Sequence, residues 1–357
     1  MPPARHGEWP QDPDPQAAVQ ARLDAVTGGG VVGGLATLTR DGETLELRSG
    51  VGDRAAGTPI PAAAQQVRVG SITKSFTAVL VLQLVEEGQI DLDAPIGTYL
   101  PGLITQPGFD GGTVTVRQIL LHRSGLAEFS DDPRGNELAA ARAGVTVTPE
   151  EIIGILNGKP AQFPAGIEFR YTNSNYIVAG MLVERVTGHS YADELQQRIL
   201  TPLGLSYTYL PPAGELAIRG PHPVGYLPEG DELVDVSEIE PSVPWAAGAL
   251  VSTGADVNAF YTGLLDGRLL APAQLEEMRT GSPDALGQGT DYGIGLTVFR
   301  VPCPDGGTVQ AVGHTGGISG SYTVGAAGST GRAITYAFTS PPHEDPEMSA
   351  LLAPALC

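Results

Sequence analysis

Lysine is scarce in this 357-residue chain: of 20 basic residues only Lys74 and Lys159 are lysines, so the place of each is informative. Cysteine is nearly absent too, with Cys303 and Cys357 alone. Two thiols are too few for a thiolate zinc site, and leave either one disulfide or two buried thiols. Long apolar runs are missing: the longest, from Phe76 to Val85, contains Gln83 and falls far short of the roughly 20 residues of a membrane-spanning helix. The opening MPPARHGEWPQDPDPQ has no apolar core, so it does not read as a signal peptide, and an exported form would carry its leader outside this sequence. Positive charge is outweighed, with 40 acidic against 20 basic residues and a net charge of −20. Such a surface repels phosphate backbones and anionic lipid, which argues against nucleic-acid or membrane partners and favours solubility. No His/Asp/Glu cluster has metal-ligand spacing, and no glycine-rich loop carries a phosphate-binding Lys-Ser/Thr. Gly28-Gly29-Gly30 lacks that partner and reads as a turn. No Gly-x-Ser-x-Gly elbow is present, which argues against an α/β-hydrolase.

What is present is an ordinary globular balance, 41% hydrophobic and 17% charged, with no sign of disorder. At roughly 150 residues per domain the length suits two domains or one large one. The 48 glycines and 30 prolines are aperiodic, so many tight turns are expected and collagen is excluded. Residues 1–15 are proline-rich and polar and read as a loose arm. Val32 to Leu38 and Thr44 to Arg48 flank Asp41-Gly42 and read as a β-hairpin. A helix is expected from Gly70-Ser71 to about Glu87, stopped by Gly88, and others over Tyr176–Val186 and Tyr191–Ile199. Later come helical patterns at Asp256–Leu265 and Pro272–Arg279. Strand-like runs follow at Tyr292–Val301, Thr308–Val312, Ser321–Gly325 and Ala333–Thr339, and a terminal helix near Glu347–Leu356. Strands at both ends predict one sheet assembled from the two chain ends, residues 16–90 and 245–357, around a mainly helical region 91–244. The fold class expected is α+β.

Three short segments carry chemistry. In Ser71-Ile72-Thr73-Lys74, positions i and i+3 share a helical face, so the serine hydroxyl and the lysine amine can meet. A serine hydroxyl needs a base, and a lysine whose burial populates the neutral amine can serve. The helix N-terminus adds free N–H groups for an oxyanion. The same residues would equally serve as a capping serine and a solvated lysine. Tyr171-Thr172-Asn173 precedes a helix; it offers a phenol for proton transfer and an amide to orient a carbonyl, or simply a polar turn. His314-Thr315-Gly316-Gly317 follows a strand; its histidine can face a pocket and its glycines admit a substrate backbone, or it is a turn with a bonded histidine. Leu121-His122-Arg123-Ser124-Gly125-Leu126 reads as a structural polar turn. Trp245 suits either a pocket wall or the core.

Ser71-x-x-Lys74, Tyr171-x-Asn173 and His314-Thr315-Gly316, in that order, resemble the penicillin-recognising serine hydrolases: class C β-lactamases, D-alanyl-D-alanine carboxypeptidases, D-aminopeptidases and related esterases. The similarity extends from about residue 16 to 357. It includes Val69 to Phe76, Leu121 to Leu126, Tyr171 to Gly180 and Gly248 to Thr253. It implies a β-lactamase/transpeptidase-like fold, an antiparallel sheet flanked by helices plus a helical region, with the site in the groove between. Class C β-lactamases carry Lys-Thr-Gly at the third motif. His-Thr-Gly is similar to the secreted soluble D-alanyl-D-alanine carboxypeptidase, whose single disulfide falls where Cys303 and Cys357 stand. The resemblance therefore implies that disulfide and an exported protein.

By the same resemblance Ser71 forms an acyl-enzyme, Lys74 and Tyr171 share the proton transfers, Asn173 orients substrate and His314 supports Tyr171. The N–H groups of Ser71 and Gly317 would form the oxyanion hole, and Thr315, Gly316, Trp245 and Thr297 would contact substrate. No cofactor or metal is implied. The expected partners are a small-molecule or peptide substrate with a D-configured acyl donor, and β-lactams as covalent ligands; a monomer is expected. One departure stands out. Tyr292-Gly293-Ile294-Gly295-Leu296 is followed by Thr297, where the carboxypeptidase has the arginine that holds a terminal carboxylate; Arg300 lies on the opposite face of a regular strand. The carboxypeptidase reading leads. An amidase, D-aminopeptidase or esterase on the same machinery, a cytoplasmic penicillin-binding-type peptide cyclase, and a non-catalytic β-lactam- or peptidoglycan-binding protein stand as alternatives.

Overall fold

The computed structural model describes residues 15–62, 64–287, 289–344 and 346–357. Residues 1–14 of the expected arm lie outside the described residues, and Pro15 belongs not to the arm but to a first helix, α1 (Pro15–Gly28). That helix leaves little trace in the sequence, because only Val19 and Leu23, four apart, are buried along it. Asp41 and Gly42 both take positive φ, the geometry of a tight two-residue hairpin. They join β1 (Gly33–Arg40) to β2 (Glu43–Gly50) in antiparallel register.

Helix α2 (Thr73–Glu86) follows a single 3₁₀ turn at Gly70–Ile72. Every α2 residue from Thr73 to Leu82 is buried, as befits a helix apolar on all sides and set in the middle of a large domain. Its buried hydroxyls are paired outward. Ser75 donates to the Gly295 carbonyl at 2.7 Å, and Thr77 donates to the Ala246 carbonyl at 2.7 Å. Helix α3 (Ser174–Thr187) packs beside it and ends at Gly188, whose φ of +73° closes the helix. Helix α4 (Gly254–Leu265) is capped by Thr253 and lies against the sheet.

The remaining strands come from the C-terminal part: β3 (Asp291–Tyr292), β4 (Thr297–Pro302), β5 (Thr308–Ile318), β6 (Ser321–Gly328) and β7 (Ala333–Phe338). The seven-stranded antiparallel sheet runs β2-β1-β7-β6-β5-β4-β3, so the N-terminal hairpin joins the sheet beside the last strand. One face packs on α1 and the terminal helix α5 (Met348–Leu356) around Phe299, Val324, Tyr336 and Phe338. The opposite face looks toward α4 and α2 and continues into the helical region's core.

Two strand expectations change. The run Tyr292–Val301 is broken: Gly295 takes φ +62°, and a Cβ there would stand 2.5 Å from Ala78 and 2.8 Å from the Lys74 carbonyl. The chain turns on α2 at this point because only glycine fits. The strand expected to end at Val312 continues to Ile318, which puts His314, Thr315 and Gly316 inside β5 and not in a turn after it. Its glycines are there for close approach; a Cβ on Gly316 would sit 2.0 Å from the Val69 carbonyl.

Cys303 and Cys357 form a disulfide with Cα atoms 5.6 Å apart, tying α5 to the end of β4 across 54 residues. In the chain-entropy account such a loop is worth about 4 kcal/mol at most, with 2–4 typical. Reduction, or Cys303→Ser with Cys357→Ser, is expected to lower the urea-unfolding free energy by about 2–4 kcal/mol while the rate of serine labelling by a fluorophosphonate stays unchanged. An unchanged midpoint on reduction would show that the bond carries no stability.

Candidate active site

The turn that presents Ser71 is set by its neighbours. Val69 N–H donates to the Leu250 carbonyl at 2.9 Å, and Gly70 takes φ +52°. A Cβ on Gly70 would lie 2.9 Å from the Gly317 nitrogen. The backbone of Gly317 therefore borders the nucleophile turn directly, and the Gly317 position is exposed with open space where a side chain would be. Ser71 is partly exposed. An acyl oxygen held at this edge would meet backbone amides at the start of a helix and on a strand.

Lys74 is fully buried one helical turn further. Its Nζ lies 2.8 Å from Ser71 Oγ, 2.7 Å from Asn173 Oδ1 and 2.8 Å from the Ala247 carbonyl oxygen. The last two groups can only accept. A neutral amine therefore gives its two protons to Asn173 and Ala247 and turns its lone pair toward the Ser71 hydroxyl. Burial pushes the Lys74 amine down to about 7, opposed only by the nearby negative charge of Glu128. The spacing that local sequence suggested is thus a direct contact, with the amine poised as a base.

Tyr171 brings its ring under Lys74, with Nζ 4.9 Å from the ring centroid. Its hydroxyl oxygen is buried and has no hydrogen-bond partner. Burial raises this phenol above its ordinary range; the neighbouring Ser71 hydroxyl works against that shift, although no well-formed hydrogen bond joins the two. The phenol keeps its proton at neutral pH, which suits it to give a proton and not to take the first one. Asn173 stands at the N-terminal boundary of α3, and its N–H donates to Glu128 Oε2 at 2.6 Å.

His314 is buried, and its Nε2 lies 3.0 Å from the Tyr292 hydroxyl. That bond goes to Tyr292, not to Tyr171, whose ring centroid is 6.1 Å from the imidazole. Burial, and after it the nearby Lys74, push His314 down to about 3, so it is neutral. Thr315 is partly exposed and Gly316 is buried against Val69. Thr297 is buried and pairs with Gly313; its hydroxyl has no hydrogen-bond partner. Arg300 faces away, bonded to Asp291 and the Gly289 carbonyl. Trp245 is half-buried and packs on Tyr191 and on Gly180 of α3, wedged into the helical core. Its backbone takes φ +32° at the start of the short helix whose Ala246 and Ala247 carbonyls meet Thr77 and Lys74.

Several residues at the site were not read from sequence. Glu128 carries no motif. In the sequence Tyr292 stands only within a strand-like segment, and His122 lies in what reads as a structural turn. The positive φ of His122 has no sequence signature.

The β-lactamase family profile matches residues 16–356, and the chain belongs to that family. It is a serine hydrolase of the β-lactamase and penicillin-binding group. It is 30% identical over 326 residues to penicillin-binding protein 4 of Amycolatopsis lactamdurans, covering 85% of this chain and 80% of the relative. In structure it is similar to a D-stereospecific amidohydrolase from Streptomyces sp., with TM-score 0.82, 33% identity, and 91% and 94% of the two chains covered. It is also similar to the D-amino acid amidase of Ochrobactrum anthropi SV3 in complex with L-phenylalanine amide, with TM-score 0.79, 30% identity and 95% of each chain covered. Among the described residues no helix is long and apolar enough to cross a membrane.

The position of the Lys74 amine predicts the pH course of acylation. The neutral form grows as pH rises through about 7. The rate of fluorophosphonate labelling should climb about tenfold per pH unit below that point and level off above it, since only the neutral fraction can accept the Ser71 proton. A rate that is flat from pH 5 to 9 would remove Lys74 as the base.

Proposed function

We propose that this protein is a D-stereospecific amidase or aminopeptidase that hydrolyses amides of D-amino acids bearing a free α-ammonium group, through an acyl-enzyme on Ser71. The observation that carries the reading is the sign of the charge facing the nucleophile. The Glu128 carboxylate accepts from Asn173 N–H, and its charge is felt by both Lys74 and Tyr171. It is half-buried; its Oε1 accepts from Ser130 N–H at 3.1 Å, and the Lys159 ammonium donates to its main-chain carbonyl at 2.8 Å, leaving the carboxylate itself without a side-chain cation among the described residues. On the β5 side, where a C-terminal carboxylate would need a cation, Thr297 is buried and Arg300 is engaged elsewhere. A carboxylate with no opposing guanidinium among the described residues favours an ammonium-bearing substrate over a free C-terminal D-alanine. The amidohydrolase and amidase relatives support the stereochemical part of the reading.

In this reading Lys74 Nζ takes the proton of Ser71 as Oγ bonds to the substrate carbonyl carbon. The oxyanion is held by the N–H groups of Ser71 and Gly317. The Tyr171 hydroxyl gives its proton to the leaving nitrogen, the carbon–nitrogen bond breaks, and the proton on Lys74 restores the phenol. Water then attacks the ester, its proton passes to Lys74, the carbon–Oγ bond breaks and Ser71 is reprotonated as the D-amino acid leaves. Asn173 holds Lys74 and faces the substrate amide. β-Lactams acylate the same serine. The Cys303–Cys357 bond suits an exported protein.

The test is a substrate panel with variants. D-phenylalanine amide should be turned over faster than L-phenylalanine amide and than a D-Ala-D-Ala peptide, and Ser71→Ala should abolish both turnover and the penicillin adduct seen by intact mass. Glu128→Gln keeps the acceptor for Asn173. It should cut kcat/KM for D-phenylalanine amide by about ten- to a hundredfold, as expected for a lost charged hydrogen bond, and leave an N-acetylated ester nearly unaffected. Equal losses on both substrates, or preference for the D-Ala-D-Ala peptide, would overturn the ammonium-binding assignment.

A further inference from the structure

Behind Tyr171 lies a line of buried side chains that takes no part in the steps above. It begins at Ser124, whose hydroxyl donates to Asn175 Oδ1 at 2.6 Å. That bond leaves the Asn175 amide nitrogen as a donor, 3.1 Å from His122 Nδ1. The Thr172 backbone N–H, which can only donate, reaches the same His122 nitrogen at 3.2 Å. His122 Nδ1 is therefore an acceptor, and the proton of this neutral imidazole sits on Nε2. His122 Nε2 in turn lies 3.1 Å from the Tyr292 hydroxyl oxygen, and that hydroxyl lies 3.0 Å from His314 Nε2. The Tyr176 hydroxyl also neighbours Tyr292, but the Thr315 carbonyl can only accept from His314 Nδ1, so His314 Nε2 is an acceptor and takes the Tyr292 proton. The His314 proton is on Nδ1, bonded to the Thr315 carbonyl. Every link runs the same way, from the core to β5.

We propose that His122 and Tyr292 are positioning residues for acyl transfer: the one-way line from Ser124 to Thr315 fixes the tautomer of His314 and seats the ring on which Tyr171 rests. Tyr171 has no hydrogen bond to aim its hydroxyl. Its orientation comes from ring contacts, with His122 at 4.3 Å and tilted 33°, and Tyr292 edge-on at 5.8 Å and 90°. A seat that moves carries the hydroxyl with it, and misplacement of a reacting group by about 1 Å can cost a hundredfold in rate. The two imidazoles of the line are neutral beside Lys74. Burial and the Lys74 charge lower both of them. His122 holds its place in a left-handed backbone, φ +56°, a conformation that costs free energy and persists only where the surroundings enforce it. The proposal rests on the acyl-enzyme reading for its kinetic part and on geometry alone for its tautomer part.

Two variants and one spectrum test it. Tyr292→Phe removes the hydroxyl at the middle of the line and keeps the ring. His122→Asn tolerates the left-handed backbone and keeps an acceptor for Thr172, but removes the seat under Tyr171. In the ¹⁵N-histidine spectrum of the wild-type protein, His314 should carry its proton on Nδ1 and His122 on Nε2, both staying neutral at pH 6. In both variants kcat for D-phenylalanine amide should fall about ten- to a hundredfold with KM within about twofold, at an unchanged circular-dichroism spectrum. In Tyr292→Phe the His314 Nε2 loses its donor while Nδ1 keeps its proton on the Thr315 carbonyl, so the tautomer should hold and only the rate should fall. A wild-type His314 protonated on Nε2 would overturn the proposal even if a variant failed to fold. So would folded variants that lose thermal stability but keep kcat within about twofold. Failure of Ser71 to acylate would remove the proposed function and leave the tautomer measurement standing as the test of the line.

Discussion

One buried amine organises this molecule. Lys74 is enclosed by the core and has three polar neighbours, two of which can only accept its protons. Moving an amine from its ordinary 10.5 to about 7 corresponds to roughly 5 kcal/mol against its charged form. The folded state bears that cost in full below pH 7, where both folded and unfolded amines hold a proton. It is recovered as pH rises from about 7 toward 10.5, because there only the unfolded chain still binds the proton. A protein with a net charge of −20 has carboxylates to spare, yet among the described residues none touches this amine. Glu128 stands one residue contact away, bonded to the Asn173 backbone, and the amine stays neutral enough to be a base.

The fold exists around that requirement. Three distant segments must converge on one helical turn: the 171–173 segment before α3, the 245–248 helix and strand β5. Each is allowed to approach by small residues or by a hydroxyl that replaces water. Gly70 and Gly316 let the nucleophile turn lie on β5, Gly295 lets the β3–β4 turn lie on α2, and Ser75 ties that turn down. The buried polar atoms of α2 thereby join its neighbours to it, and the sheet and helical region share one core.

Much of this was legible before the structure. Ser71 and Lys74 are three residues apart on a helix, so their contact is a local matter. The Asp41-Gly42 hairpin and the strands at both chain ends follow from turn chemistry and alternation. The convergence of Tyr171, Asn173 and His314 on Ser71 was suggested only by the order of motifs, since no local rule sets contacts across some 240 positions. The rest was hidden for physical reasons. β5 runs past Val312 through glycines that propensity counts against strands, because what they serve is close approach and not pleating. The break at Gly295 depends on the helix beneath it. Glu128, His122 and Tyr292 gain meaning only from partners 22 or more residues away. Helix α1 has too narrow a buried stripe to stand out.

Because the chain contains only two lysines, the central claim can be read directly. A protein labelled with ¹⁵N-lysine gives two Nζ signals, assigned by Lys159→Arg. The account predicts that the Lys74 signal titrates near pH 7. Titration of the Lys74 signal above pH 10 would mean that Lys74 is a cation throughout the working range and cannot receive the Ser71 proton.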